Sequence, residues 1–313
     1  MTDSPKASIV VPSRGGAERL PHLFEALRSQ TESSWEAIVV IDGDIDNSAL
    51  VVEEAAADLP VRSIVFPENR GRSAALNAGF ASARGDILIR CDDDLRPSPD
   101  YVAAHVERHI GGEFGVVGLY RNTYPPTPYA RAYGFDRDER FRKDAYAASE
   151  EQWWRFWAGN VSVTRTGWQR VGEYDRSFRA YGWEDVDWGY RAKQAGLDVV
   201  LAPELETPHH IAATTTAIRV IRAFHSGAAR RKFEAKHGVG ALPPADGGTG
   251  IWGALVRNTA RLRNLTGLTR SARTIDRFAD KLPQYIAEKA ISLLVESASL
   301  SGYRRPDNVR NDV

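Results

Sequence analysis

Short apolar runs alternate with amphipathic stretches through the first hundred residues. Ser8 to Val11 reads as a strand, Pro12-Ser13-Arg14-Gly15-Gly16 as a loop, and Glu18 to Gln30 as a helix with Leu20, Leu23, Phe24 and Leu27 on one face. Ala37 to Ile41 predicts a second strand ending at Asp42-Gly43-Asp44, followed by a helix from Ser48 to Ala57 and a strand from Arg62 to Phe66. The turn Pro67-Glu68-Asn69-Arg70-Gly71 leads into a helix over Ser73 to Ala83. Next comes an apolar run from Ile87 that ends abruptly in Asp92-Asp93-Asp94. Strands separated by helices of this length imply right-handed βαβ units and a mostly parallel sheet flanked by helices, an α/β fold.

The pattern changes further on. After a strand at Gly115 to Tyr120, residues 122 to 149 show no clear period and are rich in Tyr, Pro and Arg, which predicts a lid or mobile loop. Trp153-Trp154-Arg155-Phe156-Trp157 runs into an alternating stretch at Gly159 to Val163. Such rings can serve as a platform for a sugar or can seal a core, and the sequence leaves both open. The segment from Tyr181 to Arg191 places Trp183, Val186 and Tyr190 on one helical face, with Glu184 and Asp185 in the first turn. A strand at Asp198 to Ala202 precedes Thr207-Pro208-His209-His210.

The last hundred residues predict a helical extension. A helix from Ile218 to Lys236 carries Arg219, Arg222, Arg230, Arg231 and Lys232 outward, either as a solvated face or as a contact for anionic lipid. A linker at 238–250, helices at Trp252 to Leu265 and Pro283 to Ser299, and a polar tail from Gly302 to Val313 complete the chain. The expected division is a catalytic domain over 1–215, with a nucleotide-binding half over 1–120 and an acceptor half over 121–215. The extension over 216–313 would pack on that domain or on a second copy of the chain.

Composition narrows the function without deciding it. Acidic and basic residues balance at 41 each, so nothing in the net charge points to nucleic acid. The single cysteine, Cys91, lies in a core strand, which fits a reducing cytosol. No apolar run approaches the roughly 20 residues of a membrane span, and no secretory leader is evident. A cytoplasmic protein is expected, with peripheral contact to the inner face of a membrane left open. The loop after the first strand is not a dinucleotide-binding glycine turn, and there is no P-loop, so dehydrogenases and P-loop kinases are excluded.

The candidate chemistry sits where the parallel strands end. All of them finish on one rim, so Asp42, Asp44, Asn69, Arg70 and the acid cluster are expected to share a crevice, as ligand sites of open sheets do. Carboxylates there suit a nucleotide's ribose or base, and arginine suits its phosphates. A tight cluster of hard oxygen ligands suits Mg²⁺ or Mn²⁺ that also holds phosphate, although a solvated acidic turn before Pro99 would give the same three residues. His209 or His210 could add a ligand.

Taken together these residues resemble the family 2 glycosyltransferases of GT-A fold, over roughly residues 6 to 215. The resemblance rests on five elements in order. They are Ser8-Ile9-Val10-Val11-Pro12; Asp42-Gly43-Asp44; Asn69-Arg70-Gly71 with Asn77-Ala78-Gly79; Asp92-Asp93-Asp94; and the pair Gly159-Asn160-Val161-Ser162 and Gly182-Trp183-Glu184-Asp185-Val186-Asp187. The last pair is similar to the carboxyl-terminal portion of galactosyl- and N-acetylgalactosaminyltransferases. The resemblance implies a metal-dependent inverting transfer of a sugar from a nucleotide-diphosphate donor, with UDP the default, to a carbohydrate or glycoconjugate acceptor in glycan or polysaccharide synthesis.

Pro12, Arg14, Asp42, Asn69, Arg70, Asp92 and Asp93 would bind the nucleotide sugar, and Asp94 with His209 or His210 would hold Mn²⁺ or Mg²⁺. Asp185 would be the catalytic base, and Glu184, Trp183 and Trp157 would bind the acceptor. Ile41 departs from the family pattern, which often has an acid there, and this loosens the assignment of Asp42. A retaining transferase, a nucleotidyltransferase and a non-catalytic sugar- or nucleotide-binding protein remain as alternatives. Homo-oligomerisation through the C-terminal helices also stays open.

Overall fold

A computed structural model of the chain describes residues 4–179, 182–210 and 212–306. The first half alternates β1 (Ala7–Ser13), α1 (Leu20–Arg28), β2 (Trp35–Asp42), α2 (Ser48–Ala55), β3 (Val61–Phe66), α3 (Arg72–Ser82), β4 (Ile87–Cys91) and α4 (Tyr101–Arg108). Then follow β5 (Gly115–Val117), β6 (Tyr120–Asn122), α5 (Phe135–Ala147), β7 (Asn160–Thr164), α6 (Arg165–Val171), α7 (Glu184–Gln194), β8 (Val199–Leu201) and β9 (Thr207–His209). Four helices close the chain: α8 (Thr216–His237), α9 (Gly250–Leu262), α10 (Leu265–Phe278) and α11 (Gln284–Arg304).

Seven strands form one sheet in the order β3-β2-β1-β4-β7-β5-β8. Neighbours are parallel except at β7, which runs antiparallel to both β4 and β5. Burial explains the apolar runs. Every residue of β2, inside the sheet, is buried, whereas the edge strand β3 alternates between buried ends and exposed Ser63 and Val65. The architecture is a mixed α/β, mostly parallel sheet flanked by helices, with a C-terminal helical region.

The chain separates into two compact units. One holds the seven-stranded sheet and comprises Met1–Arg121, Arg142–Arg179 and Glu184–His210; the other takes Asn122–Phe141, the short stretch ending at Trp183, and the chain beyond His210. The boundary thus differs from the one expected at residue 215, because part of the middle segment belongs with the helices. In the helical unit α8 and α11 approach backbone to backbone. A Cβ on Gly227 would lie 1.9 Å from the Ser299 carbonyl, and one on Gly302 would lie 1.9 Å from the Phe224 carbonyl. Val220, Phe224, Leu268, Ile291 and Ala298 fill the core of this unit.

Two expectations need correction. Residues 122–149 are not an irregular lid, since a π-turn at Ala130–Gly134 continues into α5. The inward stripe of α5 is buried Asp138 and Ala145 with half-buried Arg142 between them, which carries no hydrophobic period to read. The tail expected from Gly302 is helical as far as Arg304, and its residues 307–313 lie outside the described residues, as does Tyr181. No described helix is long and apolar enough to cross a membrane.

Candidate active site

The site is built on the ends of β1, β2 and β4 and on the first turn of α7, all within the sheet unit. Arg90 anchors it. This arginine is fully buried on β4, two residues before Asp92 and on the same face of the strand. Its Nε donates to Asp92 Oδ1 at 2.9 Å and its Nη2 to Asp92 Oδ2 at 3.3 Å, while Nη1 donates to Asp185 Oδ1. One buried cation therefore joins a strand tip to the start of a helix 95 residues away in sequence.

The two carboxylates respond differently to this shared partner. Burial would raise Asp92, but Arg90 and Arg72 outweigh it and hold that carboxyl below its ordinary value. Burial lifts Asp185 to about 7 against the pull of Arg90. Among the described residues Asp185 Oδ2 has no hydrogen-bond partner, and the neighbouring Glu184 has one oxygen 3.5 Å from Arg72 Nη1 and the other, Oε2, buried without a partner. Paired acids whose environments drive their pKa values apart are the usual arrangement for acid–base work.

Asp94 faces a different partner. Residues 207–210 run antiparallel beside 94–96, with a β-bridge between Leu95 and His209 and a bond from His210 N–H to the Asp94 carbonyl at 3.0 Å. This register sets the His209 ring against Asp94, Nε2 to Oδ2 being 3.1 Å, and leaves the side chain of His210 exposed. Tyr120 stacks on the His209 ring at 4.7 Å, and its hydroxyl accepts from the Gly159 N–H at 2.7 Å. Gly159 must be glycine here: a Cβ would stand 2.1 Å from Asp92 Oδ2 and 2.2 Å from the Tyr120 hydroxyl.

The donor set is compatible with a hard divalent cation. Asp94 Oδ1 is buried and has no hydrogen-bond partner among the described residues, which is costly unless a ligand meets it. Among the described residues no three His, Cys, Asp or Glu side chains converge tightly enough to hold an ion alone. Asp94 and His209 would thus supply two protein ligands. That number suits Mg²⁺ or Mn²⁺, which keeps water and substrate phosphates in its remaining positions.

Other expected residues are engaged in structure. Asp93 is held within the chain: Arg19 Nε and Nη2 clamp it at 2.9 and 2.8 Å, and the Ser13 hydroxyl donates to it at 2.5 Å. Asp42 accepts from the Arg70 and Gly71 N–H groups at 2.6 and 2.8 Å, so it organises the loop before α3, and its carbonyl accepts from Arg14 Nη1 at 2.7 Å. Asn69 Oδ1 also accepts from Gly71 N–H, at 2.9 Å, and Gly71 has φ +89°, a conformation open chiefly to glycine. Arg70 lies over the Phe66 ring, 4.9 Å from its centroid. Pro12 is half-buried at the end of β1.

Trp157 departs from the acceptor-platform expectation, and Trp183 is half-buried. Trp157 is a core residue, 3% exposed, stacked 4.4 Å from Trp188 and donating to the Tyr174 hydroxyl at 2.8 Å. Trp183 belongs to the helical unit, where its Nε1 donates to Ser226 Oγ at 3.0 Å and its ring meets Phe233 at 5.4 Å. Arg90, Tyr120 and Arg72 went unread in the sequence. For Arg90 a signal existed, because three acids at a strand tip require a positive charge nearby.

Comparison with known proteins fits this geometry. Residues 8–166 match the family model described as glycosyl transferase family 2, and residues 142–214 match that of the N-terminal domain of galactosyltransferase. A Bacillus subtilis (strain 168) protein, uncharacterized glycosyltransferase YfnE, is 29% identical over 252 residues, which are 65% of this chain and 64% of that protein. An undecaprenyl-phosphate 4-deoxy-4-formamido-L-arabinose transferase of Proteus mirabilis (strain HI4320) is 33% identical over 187 residues, 58% of this chain and 50% of that protein. The chain thus spans less than two thirds of either relative. Among solved structures, a mannosyltransferase of Pyrobaculum calidifontis in complex with GDP-Man and Mn²⁺ superimposes with a TM-score of 0.62 at 18% identity, covering 97% of this chain and 89% of that one.

Proposed function

The chain belongs to glycosyl transferase family 2, and from that premise we propose that it moves a sugar from a nucleoside-diphosphate donor to an acceptor hydroxyl, with inversion at the anomeric carbon. The observation that carries the reading is the joining of Asp92 and Asp185 through one buried guanidinium. In this reading a donor-side carboxylate and the base would flank a single cation.

Asp92, held ionised by Arg90, would accept from the donor's ribose, and Asp94 with His209 would carry Mn²⁺ or Mg²⁺. A cation held there supplies neutralisation of the charge that grows on the departing diphosphate. Asp185, its carboxyl raised by burial, would take the acceptor's proton through Oδ2 as the new bond forms. Proton transfer of this kind contributes typically about 10²–10⁴-fold. Glu184 Oε2, buried and without a partner among the described residues, would accept from a second hydroxyl of the acceptor. A single base opposite the leaving group implies in-line displacement and hence inversion.

A lipid-linked acceptor is a second reading. The undecaprenyl phosphate in the name of the Proteus mirabilis relative supports it, and the aromatic case for a carbohydrate acceptor weakens with Trp157 in the core. A phosphate acceptor is already ionised and needs no base, so the raised pKa of Asp185 favours a hydroxyl. A panel of UDP- and GDP-sugars with Mn²⁺, read first by thermal shift and then by NMR of the product anomer, tests the reading. A Mn²⁺-dependent stabilisation by one donor and an inverted product are expected. A retained anomer would replace inversion with a retaining mechanism.

A further inference from the structure

The helical unit contains a cavity of about 300 Å³ between α5, α8, α9 and α11 that the proposed chemistry does not use. Four cationic side chains line it: Arg137 and Arg140 from α5, Arg219 from α8 and Lys289 from α11. Two carboxylates, Glu288 and Glu296, share the wall but are already engaged. Glu288 lies 3.6 Å from Arg140 and 4.0 Å from Lys289, and Glu296 accepts from Trp252 Nε1 at 2.8 Å. Arg137 and Arg219 have no carboxylate within ion-pair distance among the described residues. Lys289 is steered by two rings, 5.8 Å over Trp252 and 5.3 Å over Tyr285.

Like charges gathered in a concave site repel one another and lower stability unless an anion meets them. A guanidinium pair matches the oxygens of a phosphoryl group, which it can grip in bidentate fashion. The volume is enough for a phosphoryl group and a small attached moiety, and the Trp252 and Tyr133 rings offer that moiety an apolar wall. We propose that this cavity binds a phosphate ester, with Arg137 and Arg219 gripping the phosphoryl oxygens. The ester belongs either to a soluble phosphorylated metabolite or to a lipid headgroup. The proposal rests on the helical unit alone and stands independently of the chemistry assigned to the sheet unit.

Calorimetry of the full chain in EDTA tests it, with inorganic phosphate and glycerol 3-phosphate as titrants. Arg137→Ala/Arg219→Ala is compared with Arg273→Ala/Arg277→Ala, a pair of exposed arginines on α10 that removes the same charge outside the cavity. The expected result is at least a tenfold weaker phosphate affinity in the first variant only, with both variants melting as the parent does. Unchanged affinity in the first variant, an equal loss in both, or no phosphate binding by the parent overturns the proposal. Cosedimentation with phosphatidylcholine vesicles, with and without one-third phosphatidylglycerol, separates the sources. Loss of vesicle binding in the first variant alone identifies a lipid headgroup, and binding of glycerol 3-phosphate without vesicle binding identifies a soluble ester.

Discussion

The guanidinium of Arg90 donates to the carboxylate of Asp185, a residue 95 positions further along the chain and on a different element. Arg90 is fully buried and also holds Asp92 through two nitrogens, so the candidate donor and base carboxylates are two ends of one ion network. Removing one member of a buried pair is expensive because the others are left uncompensated. Arg90→Met should therefore cost about 3–5 kcal/mol of stability, measurable by urea denaturation. A loss below about 1 kcal/mol would be of the size typical of an exposed pair and would contradict the network.

Asp94 should govern metal-dependent nucleotide binding. Calorimetry of UDP with and without Mn²⁺ is expected to show enhancement by the metal in the parent chain and none in Asp94→Ala. His209→Ala should weaken the same enhancement, and His210→Ala should leave it unchanged, because the bridge at Leu95 turns the ring of His209, and not that of His210, toward Asp94.

Much of this site was legible in the chain and some was not, for identifiable reasons. The abrupt change from Ile87-Leu88-Ile89 to three acids located the tip of β4, because only the end of a buried strand tolerates such a step. Arg90 was hidden inside that apolar run, although i and i+2 on a strand share a face and Asp92 is its neighbour there. The choice between His209 and His210 depends on the register of β9, which the sequence does not encode locally. Tryptophan spacing cannot tell a core from a platform, so Trp157 read as either. The stripe of α5 is polar and gives no period, although Asp138 pairs with Asn122, and Arg142 lies 3.6 Å from Glu206.

Trp157 provides a direct contrast between those two readings. Stacked on Trp188 and hydrogen-bonded to Tyr174, it should behave as a core residue, with Trp157→Ala costing about 3–5 kcal/mol. Thermal or urea denaturation measures that loss. A variant that keeps its stability and raises only the acceptor KM would restore the platform reading.

Two histidines predict the acid side of the stability curve. Burial depresses His105 to about 3 and His109 to about 4, and both rings meet Ser162 Oγ at 2.8 Å. The unfolded chain takes up their protons near 6.5 while the folded chain does not, so stability falls as pH drops from about 6.5 toward 3. His105→Gln should flatten that fall, measured as Tm against pH. An identical slope in the variant would remove His105 as a source.

Replacing one oxygen of the candidate base is the most direct trial. Asp185→Asn keeps the shape and much of the Arg90 contact but cannot accept the acceptor's proton. Steady-state turnover with a hydroxyl acceptor, measured beside donor affinity, should fall about 10²–10⁴-fold with donor Kd nearly unchanged. In the parent, kcat/KM should rise with pH to a plateau above about 7, as Asp185 loses its proton, and the residual activity of the variant should lack that limb. Full turnover in Asp185→Asn, with the same acid limb, would contradict the account.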